Sequence, residues 1–323
     1  MPSIKSKMTT MMIYVIVIAM AISAFLSVAA LRSVGSRDAD QLLLLMCETG
    51  QKNMDNYFKS VEQSVAMLSA YVESDLDGLD DEKLQAHLSR VVPIFDKVIS
   101  KTNGVLTYYY RIDPSISQNA KGFWYVIYDE GIVSHDVTDI SRYDTKDTTK
   151  LVWFTLPKAA GKPVWTKPYI TENLGARVIS YNTPIFHNGE FVGVIGIELD
   201  YSLMAKLVNN MTVCENGYAF LNDSDGTIIY HPRMDITAMT EHPQVPSGLI
   251  SNEKFIHYNF EGVEKQAVWL PLDNGMRLNL TVPVNEINAG WYDWSFKIIL
   301  ILIALSVGLI VLTKVLIGRI TDS

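Results

Sequence analysis

The sequence predicts an α+β fold. One long N-terminal helix carries two small, stacked antiparallel-sheet units, and a membrane-spanning helix closes each end. Three observations lead there. Two uncharged apolar runs stand near the chain ends, and a heptad-spaced apolar stripe follows the first of them. After the stripe the residue pattern turns from helical to strand-and-turn and loosely repeats itself. Strands that follow helices in this way favour α+β units over a parallel α/β sheet.

Residues 1–10 read as a cytoplasmic stub and 11–31 as the first transmembrane helix. Nothing between residues 8 and 31 is charged, and a helix needs roughly 20 mostly apolar residues to cross a bilayer. This apolar core exceeds the ~7–15 residues of a cleavable signal peptide, so it reads as a retained anchor. Residues 291–318 read as the second transmembrane helix, with Lys314 snorkelling to the interface. Lys5 and Lys7 precede the first helix, and Lys314 and Arg319 end the second. The positive-inside rule then puts both ends in the cytoplasm, although Arg32 and Arg37 run against it. Trp291, Tyr292, Trp294 and Phe296 form an aromatic belt at the outer interface. Residues 32–290 therefore lie outside the cytoplasm, and 319–323 begin a cytoplasmic linker.

Residues 32–75 lack proline and read as a long stalk helix. Met54, Phe58, Val61, Val65, Leu68 and Val72 recur at spacings of 4, 3, 4, 3 and 4, which places them on one helix face. Roughly 40 helical residues extend about 60 Å. The stripe packs the helix along its own domain. A seam on another face would make the chain a homodimer. The stretch "SDLDGLDDE" breaks this helix, and residues 83–100 form a second one.

Strand patterns follow. "VLTYYYRID", "GFWYVIYD" and the hairpin "ARVISYNTPIF"–"HNGE"–"FVGVIGIELD" are β-branched or aromatic runs punctuated by turn residues. The short amphipathic helix "YSLMAKLVNNM" closes a membrane-distal unit, residues 76–210. The membrane-proximal unit, 211–290, begins with two strands about the turn "DSDG" and adds three more with turns at "EG" and "DNG". "GFWYVIYDEG" echoes "GYAFLNDSDG", and "FVGVIGIELD" echoes "MRLNLTVPVNEI". Two copies of one sheet unit sharing a helix explain the echo, since each unit is small for a core of its own.

The chain's formal charge of -8 argues against a nucleic-acid partner. Cys47 and Cys214 make no disulfide framework. No zinc-protease, P-loop, dinucleotide-binding, redox or nucleophile-elbow motif is present. His231 reads as a turn residue beside Pro232. The "DSDG" turn lacks EF-hand spacing. No catalytic residue, metal or cofactor is expected.

The order of "YYYRID", "GFWYVIYD", "YDTKDTTKLVWF", "GKPVWTKPY", "VISYNTPIF", "GVIGIELD" and "GYAFLNDSDGTIIYHP" between two membrane helices resembles the double Cache sensor module of bacterial transmembrane receptors. Such receptors include chemoreceptors, sensor histidine kinases and diguanylate cyclases. The resemblance implies two stacked PAS-like units, with a small ligand held in the membrane-distal one. "VLIGRITDS" resembles the start of a HAMP-type linker, so any catalytic output domain would lie beyond residue 323.

Amino-acid sensors of this family carry Arg-x-Trp-Tyr, then Tyr-x-Asp, then Asp on the last strand. Trp153 and Tyr169 match this pattern. Phe154 replaces the Tyr, Leu151 stands at the Arg position, Thr171 stands at the first Asp position with Glu172 beside it, and Glu198 replaces the last Asp. Lys150, read as part of a strand, would point away. The resemblance thus implies a pocket without the family's carboxylate clamp.

The expected ligand site comprises Trp153, Tyr169, Glu198, Tyr110, Trp124, Phe154, Thr171 and Tyr181. Tyr110 and Trp124 read equally well as plain core, and Trp165 reads as packing under the 163–168 loop. Aromatic walls with one carboxylate suit an amine or other organic cation. An uncharged metabolite and an atypical amino acid are the alternatives. Transmembrane small-ligand sensing is the leading function. A membrane-anchored enzyme and a protein-binding scaffold compete with it.

Overall fold

A computed structural model describes residues 4–321, apart from Glu172 and 237–242. Glu172, the start of the predicted stub and the last two linker residues lie outside the described residues, as does the Lys5 side chain.

Helix α1 (Ile4–Asp75) runs for 72 residues, or about 108 Å at 1.5 Å per residue. The predicted membrane helix and stalk are one uninterrupted element. It packs along the C-terminal helix α5 (Val284–Thr321). Gly35 permits this approach, because a Cβ there would stand 2.9 Å from Trp291 Cβ. Both helices are long and apolar enough to cross a membrane. Their apolar side chains, among them Met11 and Phe25 on α1 and Leu300 and Ile301 on α5, face outward, as lipid-facing residues do.

Helix α2 (Asp81–Ile99) begins at Asp80, whose carboxylate accepts from Lys83 N at 3.0 Å and satisfies an N-terminal donor. Strands β1 (Val105–Ile112), β2 (Gly122–Tyr128) and β3 (Gly131–His135) follow. Helix α3 (Val152–Ala160), the short strands β4 (Val164–Trp165) and β5 (Tyr169–Ile170), and the hairpin β6 (Arg177–His187) and β7 (Glu190–Asp200) complete the first sheet. Helix α4 (Tyr201–Asn209) leads to β8 (Tyr218–Asn222), β9 (Ile228–Tyr230), β10 (Phe255–Phe260), β11 (Val263–Pro271) and β12 (Arg277–Pro283), which flows directly into α5.

The first sheet has the order β3-β2-β1-β7-β6-β4, with β5 also on β6, and the second has β10-β11-β12-β8-β9. Read in reverse, the second order superposes on the first. β8 then takes the place of β1, β9 that of β2, and β12 that of β7. The repeat is therefore real, but the sequence echo was drawn one strand out of step. It paired "GFWYVIYD" (β2) with "GYAFLN" (β8), whereas the topology pairs β1 with β8. The final-strand pairing, β7 with β12, holds.

One face of each sheet packs on α1. The stripe Met54, Phe58, Val61, Val65, Leu68 and Val72 is at most 1% exposed and lies in a single apolar cluster with residues of both sheets. At roughly 1.5–3 kcal/mol per fully buried large side chain, this stripe is the chief reason two small sheets hold together on one helix. Residues 150–154, read as extended from the sequence, are not a strand. Leu151 adopts a left-handed conformation (φ 48°) and starts α3.

Candidate functional site

Alternation along β1 sorts its side chains between two environments. Tyr108 and Tyr110 point toward the helices: Tyr108 stacks on Phe95, and Tyr110 meets His87 and Phe123 edge-on. Thr107, Tyr109 and Arg111 point to the opposite face. On β7, Glu198 stands opposite Thr107 and Gly196 opposite Tyr109. On β2, Trp124 stands opposite Tyr109. This face of the sheet is the floor of a cavity of about 340 Å³, within the usual size range of small-molecule sites.

The 137–151 loop and the start of α3 form one wall. Asp139, Asp144 and Asp147 each accept a backbone N–H two residues on. Such Asx turns hold a chain without regular structure in a fixed course. The left-handed turn at Leu151 then sends Trp153 into the cavity and Phe154 into a separate apolar cluster with Ile140 and Val194. Trp153 meets Tyr109 edge-on at 5.0 Å. Strand β5, with Tyr169 and Ile170, and Thr171 just after it form the other wall.

Of the predicted site residues, Trp153, Tyr169, Glu198, Trp124 and Thr171 line this cavity. Three do not. Tyr110 is on the helix side of β1. On β6, Tyr181 stands opposite Ile197 of β7 and packs on Trp165 at 4.9 Å, also on the helix side. Phe154 is fully buried behind Trp153. Trp165 packs edge-on against Phe58 and donates from Nε1 to Glu62 Oε1 at 2.7 Å, fixing the β4–β5 segment to α1.

The sequence reading missed Tyr109, Arg111 and Lys150, all on the cavity lining. The polar positions Thr107 and Arg111, spaced by four around the aromatics of "TYYYR", mark the non-core face and would have separated Tyr109 from Tyr110. Lys150 enters the lining because residues 150–152 turn into a helix, where a strand would have pointed the side chain away.

Glu198 is 5% exposed. Its Oε2 accepts from the Thr107 hydroxyl at 2.6 Å and its Oε1 from the Tyr169 hydroxyl at 2.5 Å. No cation pairs with it among the described residues. Burial raises its pKa, and the two hydroxyl donors only partly offset that. Burial likewise pushes the Tyr169 and Tyr109 hydroxyls well up, reinforced by the Glu198 carboxylate. The Tyr109 hydroxyl donates to Asn182 Oδ1. Thr171 is 8% exposed, and its Oγ1 has no hydrogen-bond partner among the described residues. A buried carboxylate without a cation and an idle hydroxyl are costly unless something entering the cavity meets them.

A family model described as Cache domain matches residues 28–291. The methyl-accepting chemotaxis protein PctB of Pseudomonas aeruginosa is 30% identical over 89 residues, 28% of this chain and 14% of that protein. The matched segment is thus a small part of that relative. The PctB ligand-binding domain, solved in complex with L-Arg, superposes with TM-score 0.51 at 20% identity, covering 77% of this chain and 97% of that one. The extracellular domain of a putative histidine kinase, mmHK1S-Z3, gives TM-score 0.57 at 17% identity, covering 80% and 98%. These solved structures share the fold.

Proposed function

The chain belongs to the Cache domain family, and from that premise we propose that it is the extracytoplasmic sensing part of a two-pass transmembrane receptor. In this reading a small ligand lodges between Trp153, Trp124 and Tyr169 and presents an amine to Glu198. The observation that carries the proposal is Glu198 itself, a buried carboxylate with no cationic partner among the described residues, beside an aromatic-walled cavity. An ammonium there gains a charge-assisted hydrogen bond and attraction to the aromatic faces. The related ligand-binding domains of the chemoreceptors CtaA and PctB, solved with L-serine and L-Arg, support a small amine-bearing molecule.

Membrane topology follows the positive-inside bias, with the domain outside and both ends in the cytoplasm. Signalling requires the ligand to favour one of two arrangements by its differential affinity. Contacts for relaying such a change exist. Trp165 ties the β4–β5 segment to α1 through Glu62. Lys167 bridges from the distal unit to Asp223 at 2.6 Å and Asp225 at 3.1 Å in the proximal turn. Glu286, in the first turn of α5, accepts from Glu215 N, Asn216 N and Asn216 Nδ2. A homodimer is proposed on the outward face of α1, where Leu42, Leu45 and Met67 are exposed.

The test is a thermal-shift screen of the full chain in nanodiscs against alkylamines, amino acids, carboxylates and purines. An amine should stabilise the protein, and Glu198→Gln and Trp153→Ala should each abolish the shift. Hits indifferent to both substitutions would move the site elsewhere. Turnover of a hit would favour an enzyme.

A further inference from the structure

Arg111 is the one strongly basic group on the cavity floor, and it is 3% exposed. Its guanidinium is held from one side. Nε donates to Thr138 O at 3.1 Å, and Nη1 donates to Ile112 O at 2.8 Å and Lys121 O at 2.6 Å. All three acceptors are neutral carbonyls. Nη2 makes no hydrogen bond among the described residues, and no carboxylate lies within ion-pair distance of the group there. Asp139 and Asp113 act on the guanidinium only through space, so among the described residues it is a charged group with no direct ion pair. Lys150, exposed on the same lining, adds a second positive charge at the mouth.

The spacing of Arg111 and Glu198 is set by the sheet. Glu198 is anchored at Thr107, and Arg111 stands four residues further along the same strand, roughly 13 Å away at the strand rise. The bonds to Ile112 O and Lys121 O hold the guanidinium at its own end. At about that spacing, contacts of ~2.8 Å at each end leave a ligand span of roughly 7 Å. Between the two ends the lining is aromatic, made of Tyr109, Trp124 and Trp153. An α-amino acid separates its ammonium and carboxylate by only two bonds to a shared carbon, so those two groups cannot meet Glu198 and Arg111 together.

We infer that the cavity selects an extended zwitterion, with an amine at Glu198, an apolar middle against Tyr109 and Trp153, and an anionic group such as a carboxylate at Arg111. This rests on the reading of the cavity as the ligand site given above and names its ligand class. The selectivity comes from two charges fixed at opposite ends by one rigid strand. A ligand that satisfies only one end leaves the other charge unpaired and buried.

Isothermal titration of the full chain in nanodiscs with glycine, 4-aminobutanoate, 6-aminohexanoate, hexylamine and hexanoate tests this. The expected result is that 6-aminohexanoate binds at least tenfold more tightly than glycine, hexylamine or hexanoate. Arg111→Gln should erase the advantage of 6-aminohexanoate over hexylamine. Arg111 also supports the loop, so the wild-type length series stands as a readout that needs no variant. If hexylamine matches 6-aminohexanoate and binding still needs Glu198, the zwitterion is overturned while the amine site stands. Glycine binding as tightly as 6-aminohexanoate also overturns it. If none of the five binds, the assignment of this cavity falls, and the ligand class with it.

Discussion

Replacing Glu198 by Gln should move stability and affinity in different directions. The carboxylate takes two hydroxyl hydrogen bonds, from Thr107 at 2.6 Å and Tyr169 at 2.5 Å, each worth about 1.5–3 kcal/mol when the acceptor is charged. Its raised pKa shows that burial nonetheless outweighs them. In the Gln variant the amide oxygen keeps the Thr107 bond. The amide nitrogen donates to the Tyr169 oxygen, whose own hydrogen turns to Ser180 Oγ, already 3.3 Å away. The buried charge disappears and no polar atom is orphaned. The empty protein should therefore be unchanged or stabilised by up to ~1 kcal/mol at pH 7.

An ammonium ligand, by contrast, loses a charge-assisted bond of about 1.5–3 kcal/mol, or a ~10–150-fold weaker Kd. Thermal melts and titration with hexylamine, both in nanodiscs, read the two effects. The pH dependence adds a sign. A folded-state pKa raised above the ordinary value favours the protonated form, so stability falls as pH climbs from about 4.5 through the raised pKa. Amine affinity rises over the same window, and the Gln variant is flat in both. A Gln variant that is destabilised by 2 kcal/mol or more, with undiminished amine affinity, would refute the reasoning and make Glu198 a structural residue.

Substitutions at three further positions test the frame. A Cβ at Gly196 would stand 2.3 Å from Asn182 Oδ1 and 2.6 Å from the Tyr109 hydroxyl. Gly196→Ala should therefore push Tyr109 into the cavity, destabilise by about 1–3 kcal/mol and abolish ligand-induced thermal shifts. Phe58 fills the joint between α1 and Trp165. Phe58→Ala should cost about 3–5 kcal/mol by its melting temperature, whereas Phe58→Leu should cost much less. His231 is neutral in the fold because burial, with Lys265 and Arg233 nearby, brings its pKa down to about 4 from 6.5. It therefore lends stability above pH 6.5 that is lost as pH falls toward 4, about 3 kcal/mol in all. His231→Gln should flatten that acid limb in melts taken across this range.

The frame was legible because its signals are periodic and long. The α1 stripe, the two apolar runs and the β6–β7 hairpin each repeat one pattern over many residues, and each appears where the pattern puts it. The cavity was legible only in part, and the failures share a cause. In "TYYYR" the side-chain period is two, so choosing Tyr110 in place of Tyr109 put the residue on the wrong face of the sheet. Tyr181 failed in the same way on β6. Phe154 and Lys150 failed because Leu151 takes a left-handed conformation that no local residue type announces, and it converts an expected strand into a helix start. Arg111 was overlooked because its place on the cavity lining depends on the Thr138, Ile112 and Lys121 carbonyls that hold it, which is a tertiary fact. The echo between the units pointed to a true repeat but slipped by one strand, since aromatic alternation looks alike in neighbouring strands.

Hydrogen–deuterium exchange of the full chain in nanodiscs, with saturating 6-aminohexanoate and separately with hexylamine, tests the central claim most directly. The account predicts slowed exchange at residues 107–111, 149–154, 169–171 and 196–198, with a smaller change where β12 enters α5. Protection confined to the proximal sheet, or none with either compound, would contradict it.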